Sequence, residues 1–116
     1  PTWLNEGLAQ HFEFTGQRPV LNAFAGALAA NTLLTLSQLE GSFLGMTADQ
    51  AAVAYLQSYV MVDCIIHRNG FWSVNRLLDK YRQGLGTEEV IRQEFQLSPA
   101  KFQQLCLEHY RSVLAR

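Results

Sequence analysis

The sequence predicts an all-α fold of about six helices packed around a central apolar helix near residues 48–68. Three observations carry that expectation. Apolar residues recur at helical spacing almost throughout, and no segment alternates as a strand. Capping and stop signals punctuate the chain, the clearest at Thr47, Asn69-Gly70, Gly84-Leu85-Gly86 and Ser98-Pro99. The segment after Thr47 is apolar nearly all round, as a helix enclosed by its neighbours must be.

Taken in order, Thr2 is placed to cap a first helix that runs to about Phe14, where Thr15-Gly16 ends it. Pro19 opens a second, weaker helix through Ala30, with Val20, Leu21, Phe24, Ala25 and Leu28 on one face. Residues 31–45 form a Leu-rich irregular stretch with a helical turn at 37–40. Its Leu33, Leu34, Leu36, Leu39 and Phe43 must pack against something. Thr47 and Gln50 have capping-box spacing, in which hydroxyl and amide satisfy each other's free N–H groups. The long helix then runs to about Arg68, and Asn69-Gly70 stops it. A helix over 71–82 follows, with Val74, Leu77, Leu78 and Tyr81 on one stripe. After the Gly84–Gly86 break, Thr87 is expected to cap a short helix through Phe95, with Glu88 and Glu89 well placed against the helix dipole. Ser98 as N-cap and Pro99 as first residue begin the last helix, whose face is Phe102, Leu105, Cys106, Tyr110, Val113 and Leu114.

A chain of 116 residues supports one core, so residues 1–116 are expected to form a single helical domain. A hydrophobic content of 48% against 16% charged residues excludes intrinsic disorder. Nine basic and ten acidic side chains give a net charge of −1, without the basic excess of a nucleic-acid binder. A helix–turn–helix rhythm does run from Val90 to Phe102. Its outer face would offer Lys101, Gln103, Gln104, Glu108 and Arg111, where positive charge is thin and Glu108 repels phosphate. The least charged long stretch, Thr47 to Ile66, contains Asp49, Gln50, Gln57, Ser58 and Asp63 and is too polar to span a membrane. Cys64 and Cys106 have no CxxC spacing and are expected as buried thiols, with a disulfide between them left open. The chain opens at Pro1 without an initiator Met and reads as a piece of a longer protein, which leaves the cell compartment undetermined.

The first helix carries the strongest signal. At roughly 100° per residue, Leu4, Leu8, His11 and Phe12 gather on one side. Glu6, Gln10 and Glu13 gather on the other, flanked by Trp3. Periodicity alone turns the leucines to the core and the glutamates to water.

The segment Trp3-Leu4-Asn5-Glu6-Gly7-Leu8-Ala9 resembles the one that carries the third zinc ligand in gluzincin metallopeptidases of the peptidase-MA-like clan. In that clan an H-E-x-x-H helix supplies two His ligands and a general-base Glu, and an N-E-G-type helix downstream supplies a Glu ligand. The resemblance makes Glu6 that ligand, with Asn5 orienting the helix start and Gly7 permitting close helix approach. A His₂Glu set leaves zinc a fourth position for water. Tyr55, Ser58, Ile65 and Gly70 are similar in spacing to a helix of gluzincin aminopeptidases whose Tyr donates a hydrogen bond to the oxyanion. Those enzymes usually show Lys-Gly where this chain has Gln57-Ser58, so Tyr59, one turn later, competes with Tyr55 for the role. Downstream, the Asn69-Gly70 stop and the later helices look like the C-terminal helical part of peptidase-MA-like proteins, though less specifically.

H-E-x-x-H is absent from these residues. His11, His67 and His109 have no partner histidine three to five positions away, and each is expected to be structural or on the surface. Asp63, a lone charge in an apolar helix, should be paired with a basic side chain, and His67 one turn on suggests a local pair. One carboxylate cannot hold zinc, so neither metal nor peptidase activity is expected of this chain alone. The resemblance implies zinc in an intact parent, with a missing N-terminal part and a peptide or protein substrate as partners. The parent is either an active peptidase or a degenerate relative. The rival functions are a non-catalytic helical interaction module and, ranked below it, a helix–turn–helix DNA-binding domain; apolar surface bared by the missing half of a peptidase predicts self-association, as in a dimer.

Overall fold

In the computed structural model, which describes residues 1–14, 26 and 33–114, the local signals resolve into six helices, with no strand among the described residues. They are α1 (Thr2–Phe14), α2 (Leu36–Glu40), α3 (Ala48–Asn69), α4 (Phe71–Arg82), α5 (Thr87–Phe95) and α6 (Pro99–Leu114). Apart from Gly26, the helix expected from Pro19 to Ala30 lies outside the described residues. The described helices belong to two units, Pro1–Val62 and Asp63–Arg116, divided within α3.

In the first unit, α1 packs against α2. Thr2 is the first helical residue rather than the cap, and the Asn5 N–H bonds back to the Pro1 carbonyl at 3.3 Å. Trp3 and Leu4 are fully buried. The expected position of Trp3 beside the solvent-facing glutamates is therefore corrected: α2 covers that side, and the indole Nε1 donates to Glu40 Oε1 at 3.0 Å. Phe12, grouped by periodicity with Leu4, is instead 71% exposed. The core contact of α1 is made by its first two turns.

The Leu-rich stretch finds its partner in α3. Gln57 is buried, its Nε2 donates to the Leu34 carbonyl at 2.9 Å, and its Oε1 accepts from the Leu34 N–H at 2.6 Å. One side chain thus satisfies both backbone groups of an irregular residue, which an apolar side chain could not do. A capping box of Thr35 and Gln38 then starts α2, whose Leu36 and Leu39 are buried. The Thr47–Gln50 box forms as its spacing predicts, with both reciprocal bonds at 3.2 Å. Residues 57–62 of α3 are all buried, so the helix is enclosed round its whole circumference there.

Gly7 is where α1 meets α3. A Cβ at this position would run into the Ser58 carbonyl oxygen and the Val62 side chain, with the Ser58 carbonyl carbon at 2.9 Å. Ser58 is itself small, and its hydroxyl is turned back onto the Ala54 carbonyl at 2.7 Å.

In the second unit, α4 packs on α5 and α5 on α6. Gly70, at φ +81°, stops α3 in a conformation that glycine adopts without strain. Val74, Leu77, Val90, Ile91, Phe102, Cys106 and Tyr110 are buried. The nearly buried Glu94 carboxylate accepts from Ser73 Oγ at 2.9 Å and Arg76 Nε at 2.6 Å, tying α4 to α5. Thr87 does not cap α5. Gly86 is the N-cap, while the Thr87 hydroxyl bonds to Tyr81 OH at 2.7 Å. Ser98 does cap α6, accepting the Lys101 N–H at 3.3 Å, and Phe95 and Phe102 stack across the intervening turn with centroids 5.0 Å apart.

Cys64 and Cys106 are buried free thiols. Burial pushes the Cys106 thiol up, helped by its hydrogen bond to Cys64 and the Cys64 charge, while Arg68 acts in the opposite direction.

Two outcomes follow from this packing. Replacing an interior helical Gly by Ala normally gains roughly 0.5–1 kcal/mol, but Gly7→Ala should lose about 1–3 kcal/mol through overpacking against Ser58. Urea unfolding measures it, and an unchanged or raised midpoint would remove the contact. Because the folded state holds the Cys106 proton more tightly, its contribution is complete below the unfolded thiol pKa of about 8.5. It is lost as pH rises through the folded value. Thermal melts of wild type should therefore fall more steeply above about pH 8.5, that unfolded value, than those of Cys106→Ala; parallel profiles would contradict this.

Candidate functional site

The residues singled out on α1 and α3 come together through an amide. Gln10 Nε2 donates to the Glu6 carbonyl at 3.2 Å within α1 and to the Tyr55 carbonyl at 2.8 Å on α3. This bond and the Gly7 contact lie on adjacent turns, so the two helices are held both by close approach and by a hydrogen bond. Glu6 is half-buried, and among the described residues its carboxylate has no hydrogen-bond or ion-pair partner. Asn5 is exposed beside it. Gln10 was not distinguished from its neighbours by sequence, since a Gln on a polar helix face gives no sign of what it reaches.

The two tyrosines differ in environment. Tyr55 is 40% exposed, with its ring set edge-on to Phe43 at 5.3 Å between centroids. Among the described residues its hydroxyl has no hydrogen-bond partner. Tyr59 is buried. Gln57 and Ser58, the departure from Lys-Gly, are both engaged inside the first unit as described above.

A second constellation lies in the other unit. Asp63 and His67 on α3 and His109 on α6 each offer a ligand atom, all within 4.8 Å of one another. His67 Nδ1 lies 3.3 Å from Asp63 Oδ1 and 3.0 Å from the Asp63 backbone carbonyl, which is the closer acceptor. Tyr110 OH donates to Asp63 Oδ2 at 3.2 Å. The expected i,i+4 pair is therefore present. The approach of His109 was invisible to spacing because α6 is distant in sequence. The nearest signal was the shared apolar character of Cys64 and Cys106 on the same two helices.

The donor sets decide what metal chemistry is available. Among the described residues, the one group spaced to hold a metal is Asp63, His67 and His109, and Glu6 is not in it. Glu6 fits zinc only as a single ligand of a set completed by groups outside these residues. Elsewhere in the second unit, Cys64, Ile65, Arg68, Phe95, Phe102 and Leu105 line a groove of about 310 Å³. On the outer face of α6, Lys101, Gln104, Glu108 and Arg111 are exposed, and the Gln104 amide donates to Glu108 at 3.4 Å. No helix among the described residues is long and apolar enough to cross a membrane.

Among the described residues the chain is all-helical, with the turn bearing Asn5, Glu6 and Gly7 set against the long buried helix, and comparison with known families supplies the peptidase-related assignment. The model of the Peptidase MA superfamily matches residues 1–105, and the chain belongs to that superfamily. No curated protein and no solved structure matches it.

Proposed function

We propose that this chain is the helical part of a gluzincin-type zinc metallopeptidase domain, with Glu6 as the third zinc ligand. The observation that carries the reading is the Gln10 amide bridging the Glu6 and Tyr55 carbonyls, which joins the turn bearing the ligand candidate to the turn bearing the oxyanion-donor candidate. Superfamily membership supplies the chemical context. Among the described residues the half-buried Glu6 carboxylate has no protein partner, which leaves it available to a cation such as a metal ion. The two His ligands and the general base come from an H-E-x-x-H segment outside these 116 residues, so the isolated chain is inactive. In this reading residues 1–116 are one helical portion of that catalytic domain.

Each residue then has a task. Glu6 would offer a carboxylate oxygen to the ion, and Gly7 allows α1 to lie close on α3. Asn5 orients the helix start. Tyr55 is the hydrogen-bond donor to the developing oxyanion of a peptide substrate, favoured over Tyr59 because it is exposed and its hydroxyl is uncommitted among the described residues. Bound zinc would polarise the scissile carbonyl and acidify a bound water. In the isolated chain, exposed Phe12, Leu44 and Trp72 favour self-association.

The test uses the parental polypeptide. Glu6→Gln should lower zinc affinity by more than the roughly 10- to 100-fold that loss of an outer-shell partner costs, and peptidase activity should fall with it. Full zinc occupancy in the variant would take Glu6 out of the site, and a parent without H-E-x-x-H would take away the peptidase reading. For the isolated chain, light scattering across a concentration series should show mass rising above that of one copy; a constant monomer mass would exclude self-association.

A further inference from the structure

We propose that Asp63, His67 and His109 form a binding site for a zinc-type divalent cation that joins α3 to α6. The site shares no residue with Glu6 or Tyr55 and does not depend on the peptidase reading.

The donor set is the first argument. Two imidazoles and one carboxylate suit zinc and its first-row neighbours, whereas calcium and magnesium prefer oxygen throughout. Geometry is the second. Asp63 and His67 stand one turn apart on α3, the i,i+4 spacing at which a single helix offers two ligands to one ion. His109 approaches from α6, with its ring centroid 5.6 Å from that of His67. The three ligand atoms lie within 4.8 Å of one another. Bonds of 2.0–2.1 Å put ligands on a tetrahedral ion about 3.3 Å apart, so rotation of exposed or half-buried side chains closes the remaining gap.

The surroundings of the ligands are the third argument. Metal-binding side chains usually have their other polar atom held by a protein group, which fixes tautomer and orientation. Tyr110 OH already holds Asp63 Oδ2 and leaves Oδ1 on the His67 side. Donation from His67 Nδ1 to the Asp63 carbonyl selects the tautomer whose Nε2 lone pair is available to the ion. Access is provided as well, because the His67 side chain is 59% exposed while that of Asp63 is 15% exposed. Three protein ligands leave a position for water. The ion would cross-link helices that are far apart in sequence, so its binding energy adds to the stability of the folded state.

Isothermal titration of the 116-residue chain with zinc chloride tests the proposal, together with visible absorption on titration with cobalt(II). The expected result is one zinc per chain, a higher melting temperature with zinc, and no response to magnesium. His109→Ala and His67→Ala should each weaken zinc binding by at least about 10-fold and abolish the thermal shift, with circular dichroism reporting an unchanged helical content. His11→Ala and Cys64→Ala should bind as wild type does. No zinc binding by the wild type, full affinity in both the His67 and His109 variants, or loss of binding in the His11 or Cys64 variant would each overturn the site. Should His109→Ala fail to fold, His109→Gln replaces it and is read in the same way.

Discussion

The close contact of α1 with α3 at Gly7 is the constraint from which the first unit's arrangement follows. A helix axis can lie this near another only where side chains are removed from the interface, and here Gly7 on one helix meets small Ser58 on the other. Gly7 is adjacent to Glu6, so the contact also fixes the turn from which the carboxylate projects. The Gln10 amide, one turn further on, then reaches the Tyr55 carbonyl. Had position 7 carried a side chain, α1 would be lifted off α3 and that amide would lose its second acceptor. The superfamily match spans residues 1–105 and so includes both sides of this contact.

Polar side chains inside the units act as positioning devices. Gln57 anchors Leu34 through both amide atoms, Glu94 joins α4 to α5 through Ser73 and Arg76, and Asp63 is held by Tyr110. Each would be expensive to bury unsatisfied, and each is satisfied by a group distant in sequence. Unlike apolar contacts, such bonds specify direction as well as proximity. They connect segments whose hydrophobic pattern alone would permit several packings.

How much was legible depended on the range of the interaction. The Thr47–Gln50 box, the Gly70 stop and the Ser98 cap could be read directly because hydroxyl, amide and backbone lie within one turn. The Thr35–Gln38 box follows the same physics, and the expected turn at 37–40 lay within one residue of α2. Thr87 shows the limit of that logic: its hydroxyl had a better partner in Tyr81, and the extended backbone needed for the cap fell to Gly86. On α1, periodicity identified faces but could not say which neighbour covered each one, so Trp3 and Phe12 exchanged expected environments. For the candidate site, Glu6, Asn5 and Gly7 were legible as a contiguous motif, whereas Gln10 became significant only with its tertiary acceptor.

By itself the sequence determined the helical class, the position of most caps and stops, the enclosure of the long helix and the resemblance to peptidase-MA-like proteins. These are consequences of spacing along one chain, where the interacting groups are separated by a turn or less. Only the tertiary structure decided that Tyr55 rather than Tyr59 is exposed, that Gln10 joins the Glu6 and Tyr55 turns, and that His109 meets Asp63 and His67. Those outcomes depend on which helix faces pack together, and that choice is made by side-chain shape and polar satisfaction across many residues.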